Sequence, residues 1–289
     1  MTVSKETRIA LVTGGTAGIG EVTARRLAGH GLAVVIVGRE PGRGEAAVER
    51  ISRAAGAGQV SFLAADLSDQ RDICRLSQRI GEVCPRLDVL VNNAGGLFGR
   101  RRFSPQGIEM TFALNHLGYF LLTRLLLPLL EQSSRGRIVN VASEAHRSVR
   151  LDFDNLQGER RYNRWLAYKR SKLANLLFTY ELARRLEGHT VTVNAVHPGF
   201  VATDIGVRNR FVPSVIWRLA SLAAISPEQG ADTSDFLATS DEVAGVTGQY
   251  FIERRATRSS PASYDEDTAR RLWAESERLV ETDGASPTI

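Results

Sequence analysis

An apolar, β-branched run, Ile9 to Val12, ends in Thr13-Gly14-Gly15-Thr16-Ala17-Gly18-Ile19-Gly20, and a helical pattern, Glu21 to Ala28, follows at once. Strand, glycine-rich turn, helix is the setting a phosphate loop needs. The glycines let the backbone come close to a pyrophosphate. The helix behind them offers free N–H groups and the positive end of its dipole. A turn of this kind needs a buried strand before it, and the rest of the chain has to supply the sheet.

It does so by alternation. Ala33 to Val37 is a continuous apolar run, suited to a parallel strand covered on both faces. Glu45 to Ala55 reads as a helix and Val60 to Ala64 as a strand, followed by Asp66-Leu67. Gln70 to Cys84 is a helix stopped by Pro85, and Leu87 to Val91 a strand leading into Asn92-Asn93-Ala94-Gly95-Gly96. A long helix is expected from about Gln106 to Leu130, then a strand from Arg137 to Val141 ending at Ala142-Ser143. Ala167 to Leu186 is helical. Val191 to Val196 is a strand before His197-Pro198-Gly199, Pro227 to Ala238 a helix, and Gly248 to Ile252 a last strand. About seven strands with intervening helices predict an α/β fold, a Rossmann-type doubly wound parallel sheet. No linker or internal repeat interrupts the 289 residues, so one domain is expected over 1–289. Two connections are longer than such sheets usually carry, Glu144 to Leu166 and Phe200 to Ile225. Both follow the carboxyl ends of strands, where ligands bind, and are expected on the substrate side.

Composition excludes several classes. An apolar content of 43% suffices for a sizeable core, and 37 basic against 32 acidic residues give a net charge of +5. The arginine clusters Arg100-Arg101-Arg102, Arg160-Arg161-Arg164 and Arg254-Arg255 have no interleaved aromatics at stacking spacing, and read as solvated loops; no nucleic-acid partner is expected. Met1 to Arg8 is polar and unlike a signal peptide. The longest apolar segment, Phe120 to Leu130, contains Arg124 and Pro128, so no membrane span is expected. Cys74 and Cys84 fall on different faces of one predicted helix and read as two free thiols in a reducing cytoplasm.

Tyr168 and Lys172, four residues apart, share a helix face. A phenol beside an ammonium is a usable acid/base pair. Lowering a tyrosine pKa of about 10 by ~3 units corresponds to roughly 4 kcal/mol. Only Lys5, Lys169 and Lys172 are lysines among the 37 basic residues, so a lysine at 172 points to a compact charge that arginine does not replace. Lys169 next door weakens that point, and Tyr-x-x-x-Lys also arises in helices by chance.

These motifs, in this order and across essentially the whole chain, resemble the short-chain dehydrogenases/reductases. Thr13-Gly14-x-x-x-Gly18-x-Gly20, Asn92-Asn93-Ala94-Gly95, Asn115, Ser143, Tyr168-x-x-x-Lys172 and Pro198-Gly199 each match a family motif. Asn115-His116-Leu117-Gly118, Ser143-x-x-His146, Tyr168-x-x-Ser171-Lys172-Leu173-Ala174-Asn175 and Ala269-Arg270-Arg271-Leu272-Trp273 are similar to the retinol dehydrogenase-like branch. So is the separation of Ser143 from Tyr168, about twice the family's usual spacing. That branch often has an N-terminal membrane anchor; its lack here points to a soluble bacterial-type relative.

The resemblance implies hydride transfer between a nicotinamide cofactor and an alcohol/carbonyl pair. Tyr168 would donate the proton in reduction and Ser143 would hold the carbonyl oxygen. Lys172 would lower the Tyr168 pKa and bind the nicotinamide ribose, and Asn115 would hold a relay water. Gly14, Thr16, Gly18, Ile19 and Gly20 would form the cofactor loop, and Asp66 and Leu67 would flank the adenine. Asn92, Ala94 and Gly95 would line the adenosine ribose. Pro198, Gly199 and Thr203 would contact the nicotinamide carboxamide or phosphates. Asn115 is alternatively a buried amide tying helix to sheet, and Ser143 a loop cap. His146 and His197 read as structural or loop residues and Glu144 as a surface residue. No metal-ligand spacing and no Gly-x-Ser-x-Gly elbow is present.

Cofactor choice is legible after the second strand. An acid usually stands there to bind the ribose 2′-hydroxyl. Here Gly38 takes its place, with Arg39 next and Arg43 close by, which suits a 2′-phosphate and NADP(H). The alternative leaves Arg39 at the surface and gives a ribose hydroxyl to Glu40. Phe211, Val215, Ile216, Trp217, Leu219 and Leu222, with Leu151, Phe153, Leu156, Tyr162 and Trp165, predict an apolar substrate wall, or else an interface. The expected activity is NADPH-dependent reduction of a bulky, largely apolar ketone or aldehyde, such as an aromatic-polyketide carbonyl in secondary metabolism. A non-catalytic NADP(H)-binding regulator is the competing class, against which the intact Ser143, Tyr168 and Lys172 argue. The sequence leaves room for a homo-oligomer.

Overall fold

Alternation along the first strand, β1 (Ile9–Thr13), sends Ile9 and Leu11 into one apolar core and Ala10 and Val12 into another. β2 (Ala33–Gly38) divides the same way, with Ala33, Val35 and Val37 on one side and Val34 and Ile36 on the other. Strands covered on both faces have no polar side, hence their continuous apolar runs. The computed structural model describes residues 7–56, 58–199 and 225–280. In it β3 (Val60–Ala64), β4 (Val89–Asn92), β5 (Arg137–Val141), β6 (Thr192–His197), β7 (Tyr250–Ile252) and β8 (Arg255–Ala256) complete one sheet of order β3-β2-β1-β4-β5-β6-β7-β8. All neighbours are parallel except β7 and β8.

The eighth strand exceeds the expected count of about seven. It is two residues long and follows a turn in which Glu253 and Arg254 both take positive φ, 50° and 61°. Hairpin turns of that hand favour Asn and Gly, so this pair carried no signal.

α1 (Gly18–Gly29), α2 (Pro41–Ala55) and α6 (Pro227–Thr239) cover one face through Leu27, Ile51 and Leu237. α3 (Gln70–Val83), α4 (Met110–Glu131), α5 (Arg164–Arg185) and α7 (Glu266–Val280) cover the other through Leu76, Phe120, Leu177 and Trp273. α7 lies beyond the last element the sequence predicts and carries the Ala269 to Trp273 stretch. Trp273 meets Phe120 edge-on at 4.9 Å.

Helix starts moved where caps decide them. α4 begins at Met110, not near Gln106, because the Glu109 carboxylate accepts from the Thr111 and Phe112 amides, both at 2.9 Å. α5 begins three residues early because Asn163 caps Trp165 and Leu166. Within α4, Ala113–Leu117 is π-helical. Among the described residues, α4 is the one helix long and apolar enough to cross a membrane; 78% of that stretch is buried inside the fold, as in a core helix. Cys74 and Cys84 are free thiols.

On the α4/α5 side a polar ladder crosses the core. Asn92 Nδ2 donates to Thr123 Oγ1 at 3.0 Å and to Asn140 Oδ1 at 2.9 Å. Asn140 Nδ2 donates to Thr179 Oγ1 at 3.0 Å, and Thr179 donates to the Asn175 carbonyl at 2.7 Å. The strand order reverses direction between β1 and β4, which opens a crevice beyond their carboxyl ends.

Candidate active site

Two strand ends are buttoned together at the floor of that crevice. Thr13 Oγ1 donates to the Val91 carbonyl at 3.2 Å and accepts from the Asn93 and Ala94 amides at 2.8 and 3.0 Å. Asn93 Nδ2 reaches back to the Thr13 carbonyl at 2.8 Å. The glycine loop closes over this joint. Gly14 has φ +66°, and a Cβ on Gly20 would stand 2.3 Å from the Gly14 oxygen, so neither position tolerates a side chain. The N-cap of α1, Ala17, supplies no side-chain cap. The first amides of α1 are therefore left for an anion. A crevice of about 720 Å³ begins here, lined by Gly14, Gly18, Ile19 and Gly20 on one side and by Ala94 and Gly95 on the other.

A Cβ on Gly38 would come within 2.7 Å of the Thr16 side chain, which would have to turn aside. With glycine there, the position offers no carboxylate to a ribose hydroxyl. Thr16 itself packs on Gly38 and does not line the crevice. Arg39 and Arg43 do, both exposed. Neither has an ion-pair or hydrogen-bond partner among the described residues, whereas neighbouring Arg50 is bidentate on Glu21 at 2.8 Å. The glycine cradle and the uncapped helix end fit a nicotinamide dinucleotide, and the two cations line the same crevice.

Other expected cofactor contacts lie elsewhere. Asn92 is fully buried in the polar ladder, so its side chain cannot line a ribose. The sequence motif was matched, but the amide that faces the loop is Asn93. Leu67 turns its side chain into the core. Asp66 Oδ1 accepts from the Ser68 amide and hydroxyl at 2.9 and 2.7 Å, closing its own turn. Pro198 and Gly199 line the crevice. Thr203 and the stretch 200–224, with Phe211, Val215, Ile216, Trp217, Leu219 and Leu222, lie outside the described residues.

Ser143, Tyr168 and Lys172 all face the crevice. Ser143 ends β5 and caps the following turn, accepting from the Ala145 amide at 3.2 Å, so it is both cap and crevice residue. Burial pushes the Tyr168 phenol above its ordinary pKa, and a hydrogen bond with Ser143 opposes the rise. The expected lowering by Lys172 is not found. The lysine is itself brought down to about 8 by burial. Its Nζ donates to the Val141 carbonyl at 2.9 Å and lies 5.7 Å from the Tyr168 ring centre. Asn115 does not line the crevice. Its Nδ2 donates to the Gly96 carbonyl and to Ser171 Oγ, both at 3.0 Å, and its Oδ1 accepts from the Gly96 amide at 2.8 Å. The side chain ties α4 to the loop after β4. Any relay at Asn115 has its backbone alone to work with, inside a π-helical turn of a kind often found at functional sites.

The apolar wall also comes from an unexpected place. Leu151, Phe153 and Leu156 pack on the core, Trp165 is 49% exposed, and none of them lines the crevice. Leu97, Phe98 and Leu114 do, with Arg102 beside them. Tyr162 acts one step back, its hydroxyl donating to the Phe98 carbonyl at 3.0 Å. Leu97 and Phe98 directly follow Gly95-Gly96, and that adjacency was the available signal. Glu144 keeps 39% of its side chain exposed, at the surface as expected, while accepting from Tyr250 at 3.0 Å and Arg147 at 2.8 Å. His146 is fully buried, His197 Nδ1 accepts from the Glu144 amide at 3.4 Å, and neither histidine lines the crevice. The described residues contain no cluster suited to a metal ion.

The sequence pattern of the short chain dehydrogenase family matches residues 8–210. Human retinol dehydrogenase 14 is 41% identical over 287 residues, covering 93% of this chain and 85% of its own length. Human retinol dehydrogenase 13 is 41% identical over 276 residues, with 93% and 83% covered. The crystal structure of an uncharacterized protein from Mycobacterium paratuberculosis superposes with a TM-score of 0.77 at 34% identity, covering 96% of this chain and 94% of the other. The RhlG/NADP active-site complex from Pseudomonas aeruginosa superposes with a TM-score of 0.70 at 29% identity, covering 89% and 96%.

Proposed function

The chain belongs to the short chain dehydrogenase family, and from that premise we propose that it is an NADPH-dependent reductase of bulky, largely apolar ketones or aldehydes. The observation that carries this reading is the meeting of Ser143, Tyr168 and Lys172 on one crevice that starts at an uncapped helix end. When bound, the dinucleotide supplies the hydride. The protein's own residues do the rest. Tyr168, its pKa raised by burial, is protonated at neutral pH and ready to give its proton to the substrate oxygen. Ser143, hydrogen-bonded to that phenol, holds the same oxygen in place. Lys172 keeps two of its three donors free beyond the Val141 carbonyl, for a ribose.

NADPH over NADH is supported by the absence of an acid at Gly38 and by the unpaired Arg39 and Arg43. The Pseudomonas aeruginosa neighbour, an active-site complex with NADP, accords with it. An apolar substrate is supported by Leu97, Phe98 and Leu114. A multi-ring, polyketide-like carbonyl in secondary metabolism suits that wall, and a retinoid-like aldehyde suits it equally. The test is NADPH and NADH oxidation against a panel of multi-ring ketones, long-chain aldehydes and small polar carbonyls. Preference for NADPH and for the apolar members is expected. Equal use of both cofactors would remove the role of Arg39, and turnover confined to small polar carbonyls would remove the apolar wall.

A further inference from the structure

His146 is fully buried in the 3-10 turn Glu144–Ser148 that Ser143 caps. Its Nδ1 lies 2.6 Å from the Ser143 carbonyl oxygen and its Nε2 lies 3.0 Å from the Ser260 backbone nitrogen. Those partners fix the tautomer. An amide N–H only donates, so Nε2 must present a lone pair; a carbonyl only accepts, so the proton sits on Nδ1. The ring is therefore neutral. The same Ser143 carbonyl also takes the His146 backbone amide at 3.2 Å.

The far side of the ring is anchored as firmly. Ser260 lies in a segment pinned to α5, where the Tyr180 hydroxyl meets Ser259 Oγ at 2.6 Å and the Tyr180 and Tyr264 rings stack at 5.0 Å. α5 is the helix that bears Tyr168. The imidazole thus spans from the backbone of the serine at the crevice to a segment braced on the tyrosine's helix.

We propose that His146 is a positioning residue for Ser143: its neutral imidazole, donating to the Ser143 carbonyl and accepting from the Ser260 amide, sets where the serine hydroxyl stands relative to the Tyr168 phenol. The inference rests on the catalytic reading of Ser143 and Tyr168. It gives the turn a built-in sensitivity to acid. A protonated ring would turn Nε2–H against the Ser260 N–H, two donors facing each other. Burial holds His146 below the ordinary histidine value, so this happens on the acid side. The groups around it are Glu144 and Arg147 in the turn, His197 at the end of β6, Tyr250 on β7, Tyr180 on α5, and Arg258 and Tyr264 in the facing segment. Arg147 disfavours the charged ring and Glu144 favours it.

Asparagine and glutamine divide the two bonds. His146→Asn places a donor near Nδ1 and keeps the Ser143 contact; His146→Gln reaches the Nε2 position and keeps the Ser260 contact. Turnover of a multi-ring ketone with NADPH is measured for wild type, H146N and H146Q, with KM and the NADPH Kd. H146N is expected to keep kcat within about threefold, and H146Q to lose roughly tenfold or more in kcat with KM and Kd nearly unchanged. The wild-type kcat is expected to fall only on the acid side of the ordinary histidine value, a limb absent in H146N and retained in His197→Asn. Equal kcat losses in H146N and H146Q, a loss shared by KM and Kd, or an acid limb surviving in H146N overturns the proposal. Histidine 15N NMR of the wild type at pH 7.5 stands apart from turnover: an Nε2–H or cationic His146 also overturns it. Full turnover by Tyr168→Phe would instead strike the catalytic reading and leave the tautomer result intact.

Discussion

Two hollows of similar size lie at opposite edges of the sheet. The larger, about 890 Å³, is at the amino ends of β5 and β6 and is lined by Arg135, Arg137, Arg184 and His189. The smaller, about 720 Å³, is the crevice at the carboxyl ends, with Arg39, Arg43, Arg102 and Lys172. Both are cationic, yet only one has charge to offer. At the amino edge Arg135 pairs with Asp241 at 3.1 Å, Arg184 with Glu181 at 2.7 Å and His189 with Glu131 at 2.8 Å. Arg137 donates to the Leu237 and Ser240 carbonyls. At the carboxyl edge the three arginine side chains have no partner among the described residues, and Lys172 meets a single backbone carbonyl. Volume does not identify a site; uncommitted donors around glycine-shaped space do.

The sharpest way to break this contrast is at Tyr168. Tyr168→Phe removes the proton donor alone and is expected to lower kcat by at least about 10²-fold with NADPH affinity nearly unchanged. Near-normal steady-state turnover would end the distinction.

Lys172 tests the same edge through stability. Its folded value of about 8 lies below the ordinary 10.5, an interval worth roughly 3 kcal/mol. A lowered lysine pKa means that the unfolded chain binds the extra proton between those values, so wild-type stability should rise as pH climbs from about 8 to 10.5. Lys172→Met should be inactive yet more stable than wild type at pH 7, by up to roughly 3 kcal/mol. That gap should close near pH 10.5. Denaturant unfolding at three pH values measures it, and a pH-independent gap would show that the ammonium carries no burial penalty.

A smaller effect is expected at Arg39. Arg39→Ala should lose roughly 1.5–3 kcal/mol of kcat/KM with NADPH and little with NADH, as for a charge-assisted contact. Parallel losses with both cofactors would place Arg39 outside phosphate recognition. The smallest belongs to the amino edge, where Arg184→Ala should change kcat/KM by less than about twofold, since a partly exposed ion pair is worth under about 1 kcal/mol. A tenfold loss there would mean that the larger hollow also takes part in turnover.

Much of the scaffold was legible because its strands have no polar face. Ile9 to Val12, Ala33 to Val37 and Arg137 to Val141 were located nearly to the residue. Side-chain direction was less so. Asn92 and Asn93 are adjacent and chemically identical, and only the pleat of β4 decides that one enters the core and the other faces the loop. The Tyr168 pKa depends on how deeply the phenol and its lysine sit, which spacing along a helix does not reveal. Leu151 and Phe153 are as apolar as Leu97 and Phe98. Their assignment to core or crevice follows from where a long connection folds back, a matter of tertiary packing.

The ladder Asn92–Asn140–Thr179 has a historical consequence. Each member is fully buried, and each satisfies a neighbour on a different element. Exchanging Asn140 alone for valine would leave an Asn92 N–H without its acceptor, at about 1–3 kcal/mol, and would take from Thr179 the bond it accepts while its hydroxyl stays on the Asn175 carbonyl, whereas replacing all the partners at once by apolar groups of matching shape can be close to neutral. Descent through single changes therefore meets a barrier that simultaneous change does not. Lineages of this chain should hold these positions as a block, altered together or left alone, even though none of the three side chains touches the crevice.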